Sequence, residues 1–247
     1  MKKMITLLLI YLIGSPAFAQ QIVNLVLVGD KGITKNIKEA HSFVIVKQYP
    51  GAFQRLDYKI GAPLERLRTY SDSNLAVLNG PFYEYSFKGA LTVSGEYINN
   101  LKEKKWFYYN DTGKVILEQH YEHGVLIETV NPDTVKKKDP TESKIKDGET
   151  EAHYKKGDRD WIDYLRKNLD VNVSLKSVKG GQVRVGFTVN TAGKCVDVYL
   201  RRSVEFVLDE EAIRIIENSP TWEPAIQDGR KVNAYRVQPL TFVKEEN

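Results

Sequence analysis

The chain has 247 residues, with 36 basic and 32 acidic side chains and a formal charge of +4. That balance does not argue for nucleic acid or an anionic membrane surface as partner, and 42% apolar residues suffice for one large domain or two small ones. The only cysteine, Cys195, excludes an internal disulfide, so the fold must stand on its core even in an oxidising compartment.

Residues 1–19 read as a cleavable signal peptide. Lys2 and Lys3 form the positive start, Met4 to Ile13 the apolar core, and Ala17-Phe18-Ala19 the small-x-small pattern before Gln20. The apolar run is well short of the ~20 residues that span a bilayer. Gln20 stands where a lipoprotein would carry its modified cysteine. The expected product is exported and periplasmic, and could associate peripherally with the outer membrane.

Residues 20–130 are expected to form an antiparallel β-meander of stacked hairpins. Ile22 to Val28 and the region of Val44 and Val46 read as strands. A repeat follows: Phe82 matches Trp106, Tyr85 matches Tyr109, Gly89 matches Gly113, and Tyr97 matches Tyr121. A more degenerate copy holds Tyr58 and Gly61. Fixed periods of this kind signal stacked supersecondary units. An aromatic strand runs into a turn, Asn110-Asp111-Thr112-Gly113, whose glycine can take positive φ, and a second strand ends on Tyr121. Trp106, Tyr109, Gly113 and Lys114 fit the pattern of MORN-like repeat modules, which this stretch resembles; Lys104 replaces the usual leading glycine. Such modules imply scaffolds or contact surfaces.

The aromatic rows admit two readings, packing between hairpins and a groove for glycan or peptide; packing is preferred. Glu118, His120 and Glu122 share one strand face by alternation, with His123 pointing elsewhere. Three such residues in a row on one strand seldom converge on one ion, so a solvated face is expected rather than a metal site.

Residues 131–157 change character: they are charged, poor in aromatics and broken by Pro132 and Pro140. They read as a solvated linker with a reach near ~30 Å.

Residues 158–247 are expected to form a small α+β domain, a three-stranded antiparallel sheet packed on helices. A first helix runs from Asp158 to Leu169, capped by Asp158 or Asp160, with Trp161, Ile162, Leu165 and Leu169 packing inward. Val183, Val185, Phe187 and Val189 alternate with Arg184, Gly186 and Thr188 on a half-buried strand. The turn Asn190-Thr191-Ala192-Gly193 leads to a strand begun by Cys195, and Val196, Val198 and Leu200 continue the apolar face. Cys195 has no histidine or second cysteine near it in sequence and reads as structural. A helix from Leu208 to Asn218 carries the stripe Leu208, Ala212, Ile215 and Ile216. Asp209, Glu210 and Glu211 in its first turn suit the helix dipole and need no catalytic explanation. The last strand, Val232 to Val243, contains Pro239, which marks a sheet edge or a bulge. A bulge would also account for the change of phase between Tyr235 and Val237 and Leu240 and Phe242.

This half resembles the TonB C-terminal domain, in the form common in exported proteins of Bacteroidota. The resemblance rests on the run Trp161 to Leu169, Gly181 to Val185, Gly193, Asp197-Val198, Arg202-Ser203, Leu208 to Ala212, Pro220 to Pro224, Gly229 to Val232 and Pro239 to Phe242. It implies that a partner segment from an outer-membrane TonB-dependent receptor, or another periplasmic protein, pairs with the exposed last strand by β-augmentation. The partner-binding residues would then be Val232, Asn233, Ala234, Tyr235, Arg236, Val237, Gln238 and Pro239. The same edge could serve a homodimer.

Two features depart from an energy transducer of this family, which normally keeps an N-terminal membrane helix and a proline-rich spacer. The expectation is therefore a non-enzymatic binding protein without catalytic residues, metal or small-molecule cofactor. Two alternatives stand: a membrane-anchored energy transducer if the signal is uncleaved, and a glycan- or peptide-binding repeat module.

Overall fold

The computed structural model describes residues 21–132, 149–170 and 172–244. The expected signal segment and the central part of the expected linker lie outside the described residues.

The N-terminal half is one antiparallel sheet. Its strands are β1 (Gln21–Gly29), β2 (Gly32–Thr34), β3 (Ala40–Tyr49), β4 (Ala52–Lys59), β5 (Leu64–Tyr70), β6 (Leu78–Tyr85), β7 (Leu91–Ile98), β8 (Leu101–Tyr109), β9 (Val115–Glu122) and β10 (Val125–Val130). From β3 to β10 each strand pairs with the next, and β1 lies between β3 and β2. The repeat corresponds to the hairpins β6–β7 and β8–β9. Its aromatic positions form one packed row: Phe82, Tyr97, Trp106 and Tyr121 have neighbouring ring centres 5.0–6.3 Å apart. Trp106 lies flat over Gly95, where a Cβ would fall 2.2 Å from the indole.

The C-terminal half contains β11 (His153–Tyr154), α1 (Asp158–Asn168), α2 (Asn172–Lys176), β12 (Gly181–Val189), β13 (Cys195–Arg202) and α3 (Phe206–Glu217). It closes with β14 (Trp222–Glu223), β15 (Ala225–Gln227), β16 (Arg230–Val232) and β17 (Ala234–Phe242). The main sheet runs β13-β12-β17, all antiparallel. Val183, Val185, Phe187 and Val189 of β12 are buried in one core with Leu208, Ala212, Ile215 and Ile216 of α3. Each valine, leucine, isoleucine or phenylalanine of this set contributes about 1.5–3 kcal/mol relative to exposure, so this contact anchors the unit.

Several local expectations change. Neither Asp158 nor Asp160 caps α1; Gly157 occupies the N-cap at φ 90° with no side-chain bond. Ile162 faces solvent rather than the core, whereas Trp161 is buried. The apolar alternation of β13 is broken at Asp197, which has φ 51°, where the pairing with β12 shifts. The expected last strand is two elements: Val232 belongs to β16, which folds back on β15 through Asp228-Gly229, and β17 starts at Ala234.

The halves share one core. Phe206 packs edge-on against Phe43 and Tyr58, and Tyr83 stacks on Tyr199 with ring centres 5.0 Å apart. Polar groups register the contact. The Leu64 N–H donates to Ser203 Oγ, Tyr58 Oη donates to Asp209, and Tyr85 Oη donates to the Leu200 carbonyl. Lys47, 3% exposed, pairs with Glu210 at 2.6 Å. Burial pushes the Asp209 carboxyl up to about 7, against the hydrogen bonds it accepts from Ser203, Val204 and Tyr58.

The end of the stretch read as linker is also built in. Thr150 bridges Ile226, and β11 pairs with β14.

Candidate functional site: the open edge of the small sheet

A three-stranded sheet has two edges, and here they differ. Toward its C-terminal end, β13 meets the N-terminal sheet. Arg202 bridges Ala90, Tyr199 stacks on Tyr83, and the Arg201 guanidinium lies 4.6 Å from the Tyr109 ring while donating to the Gly113 carbonyl. The outer side of β17 pairs with no strand among the described residues.

Pairing of β12 with β17 is continuous from Gly181↔Phe242 to Val189↔Ala234, without a shift at Pro239. The expected bulge is therefore absent. The phase change has another cause. Even-numbered residues from Ala234 to Phe242 face inward throughout, and Tyr235 and Val237 are apolar side chains on the outward face.

The direction of the backbone groups follows. A Cβ on Gly180 would sit 2.7 Å from the Phe242 carbonyl oxygen, so that carbonyl faces the β12 side. Along a strand, backbone groups point alternately to the two neighbours. Tyr235, Val237, Pro239 and Thr241 thus present theirs to the open edge. Pro239 sits where its missing N–H breaks no internal bond, the situation in which a sheet tolerates proline.

Of the sequence-derived partner-binding residues, Ala234, Tyr235, Arg236, Val237, Gln238 and Pro239 are brought together on β17. Val232 and Asn233 are not: Val232 is paired with Ala225, and Asn233 accepts a hydrogen bond from the Thr191 N–H.

Beneath the edge run two adjoining cavities of about 310 Å³ each, separated by Arg236. Their outer wall is the strap 149–154 and the start of α1. Arg236 ties the strap down, donating to Glu151 Oε2 at 2.7 Å and to the Ala152 carbonyl. Trp161 Nε1 donates to Gln238 Oε1 at 2.8 Å, tying α1 to β17. Sequence reading missed this wall. Its signal, aromatic residues at Tyr154 and Trp161 flanking a glycine, is too weak to identify alone.

Tyr235 continues toward the other half. Its hydroxyl accepts from Tyr199 Oη at 3.0 Å, across Gly186, where a Cβ would meet the Tyr235 oxygen at 2.5 Å.

A larger cavity of about 670 Å³ lies between the N-terminal sheet and β13 and α3, with Tyr83, Phe107, Tyr109 and Tyr199 in its lining. It is on the face opposite the Trp106 row. Of the residues weighed for metal, Glu118 lies 2.6 Å from His120 and pairs with Lys105, and His120 lies 3.1 Å from Glu128 of β10. No group of three or more potential ligands that could hold a metal ion occurs among the described residues. Cys195 is half-buried against Ser219, and burial pushes its thiol up, away from the reactive thiolate form.

Residues 174–243 match the family model of the Gram-negative bacterial TonB protein C-terminal. The matched stretch begins within α2, takes in both edges of the small sheet, and leaves out the strap and α1. It ties this part of the chain to TonB-type transport or protein interaction, the family's general partners being outer-membrane TonB-dependent receptors. No curated protein and no solved structure matches the chain. No described helix is long and apolar enough to cross a membrane.

Proposed function

We propose that this is a non-enzymatic binding protein of the periplasm that takes an extended partner segment onto β17 by strand addition. The segment would come from an outer-membrane transporter of the TonB-dependent type. The observation that carries the reading is the open side of β17, where Tyr235, Val237 and Thr241 offer both backbone groups, whereas Pro239 has no N–H and its carbonyl already accepts from Gln238 Nε2. Main-chain pairing supplies affinity in such complexes, and pockets beside the edge supply specificity. The N-terminal meander, MORN-like in its repeat, engages the C-terminal end of β13, so of the two edges of the small sheet β17 is the one left open along its length.

The test is Val237→Pro. The Val237 N–H points away from β12, so the substitution removes an outward donor without breaking an internal bond. Binding of transporter plug peptides, followed by titration, is expected to be lost while the unfolding midpoint stays within about 1 kcal/mol of the parent, the net worth of one hydrogen bond. Plug-peptide affinity unchanged by the proline would refute strand addition. A concentration-dependent dimer that Val237→Pro dissociates would identify a second copy, rather than a transporter, as the added strand.

A further inference from the structure

The strand that adds to β17 would alternate its side chains between the outward face and the cavity beneath the edge. The cavity on the Gln238 side of Arg236 lies under the outward-facing groups of Tyr235 and Val237. These are the last complete donor–acceptor positions before Pro239 interrupts the ladder. A side chain from the added strand opposite this point has no other place to go on that face.

The walls define what it would be. Trp161 and Trp222 stand edge to face with centres 5.0 Å apart, and Tyr154 lies 5.3 Å from Trp161. The aromatic lining suits a long apolar stem and, over a ring face, a cation. Asp158 at the mouth is exposed and has no ion-pair partner among the described residues. The one cation in the wall, Arg236, is already held by Glu151 and the Ala152 carbonyl. Two further polar side chains of the wall are engaged: Gln238 bonds Trp161 and the Pro239 carbonyl, and His153 Nδ1 lies 3.0 Å from the Glu151 carbonyl.

We propose that the cavity reads a basic side chain, arginine above all, on the groove-facing side of the added strand, with its stem along Trp161 and its guanidinium on Asp158. The inference rests on strand addition at β17 and adds the partner chemistry. An arginine fork can meet a carboxylate with two hydrogen bonds and stack on an aromatic ring at once, which a lysine cannot.

The probe is a set of short blocked peptides, Thr-Val-Thr-Val-X-Val-Thr-Val, with X as arginine, lysine, leucine or glutamate, titrated against the whole exported chain. Trp161 and Trp222 supply the fluorescence signal. The arginine peptide is expected to bind roughly tenfold tighter than leucine and tighter still than glutamate, with the advantage shrinking as salt is raised. Asp158→Asn, an exposed and structurally mild change, should erase most of the arginine advantage and leave the leucine peptide unchanged. Val237→Pro should abolish binding of every peptide. If Val237→Pro abolishes binding but arginine, leucine and glutamate bind alike, the cavity reads no cation and this inference is overturned, while strand addition stands. If no peptide responds to Val237→Pro, strand addition itself fails.

Discussion

Asp209 gives the sharpest test of how the two halves are joined. Its carboxyl is fully buried between α3 and the N-terminal sheet, and burial pushes it up from 3.8 to about 7. The folded state therefore keeps a proton that the unfolded chain releases above pH 3.8. Stability from this group is full below that value and falls as pH climbs toward 7, at most by about 1.4 kcal/mol per unit. Over the roughly three units between, the loss is on the order of 4 kcal/mol. Glu118 and Asp170 are held below the usual carboxylate range by their hydrogen bonds and act in the opposite direction, but at more acidic pH. Asp209→Asn removes the titration; its one side-chain oxygen still accepts the Val204 N–H, while the amide nitrogen takes the place of the oxygen that Ser203 and Tyr58 reach. Urea unfolding at half-unit steps from pH 4.5 to 7.5 should show the parent losing stability along this window, and Asp209→Asn following a flatter line. Parallel lines for the two proteins would refute the assignment of a buried, protonated carboxyl.

Other outcomes follow from single contacts. Gly95→Ala drives a methyl into the Trp106 indole at 2.2 Å and should cost about 1–3 kcal/mol by overpacking, read as a lower urea midpoint with a changed near-ultraviolet spectrum. Pro239→Ala restores an N–H to the open edge of β17. It should tighten plug-peptide binding several-fold, the worth of one hydrogen bond at about 0.5–1.5 kcal/mol, without loss of stability. Cys195→Ser exchanges a half-buried thiol beside Ser219 for a hydroxyl; its unfolding midpoint should move by less than about 1 kcal/mol, and peptide binding should not change.

Much of the local structure was legible because it is set by neighbours in sequence. The turns Asn110 to Lys114 and Asn190 to Lys194 are built alike. In each, the asparagine side-chain oxygen accepts from two backbone N–H groups, and the glycine takes positive φ. The alternation of β12 and the apolar stripe of α3 led correctly to a buried strand under a helix. What could not be read is non-local. Asp209 and Glu210 suit a helix start, but their partners, Tyr58 and Lys47, come from strands more than 150 residues earlier. The phase change near Pro239 looked like a bulge because Tyr235 and Val237 are apolar yet exposed. Their exposure makes sense only once the strand is seen to lie at an edge beside Tyr199. Likewise, nothing in the composition of Glu149 to Tyr154 distinguishes a strap held by Arg236 from the charged stretch before it.

The covered edge bears on function as much as the open one. An unpaired strand edge is a template for any extended chain, and a small sheet with two such edges would pair without discrimination. Here the C-terminal end of β13 is engaged by the N-terminal sheet, through the stacking of Tyr199 on Tyr83, the contact of Arg201 with Tyr109 and Gly113, and the bridge from Arg202 to Ala90. On β17 the strap and α1 leave the backbone groups reachable but wall the space beneath them, and Pro239 ends the run of donors. Within the small sheet, the meander thus favours β17 as the edge open to pairing. In the proposed strand addition, Pro239 would set how far a partner pairs along that edge, and the cavity beneath it would select the side chain the partner carries.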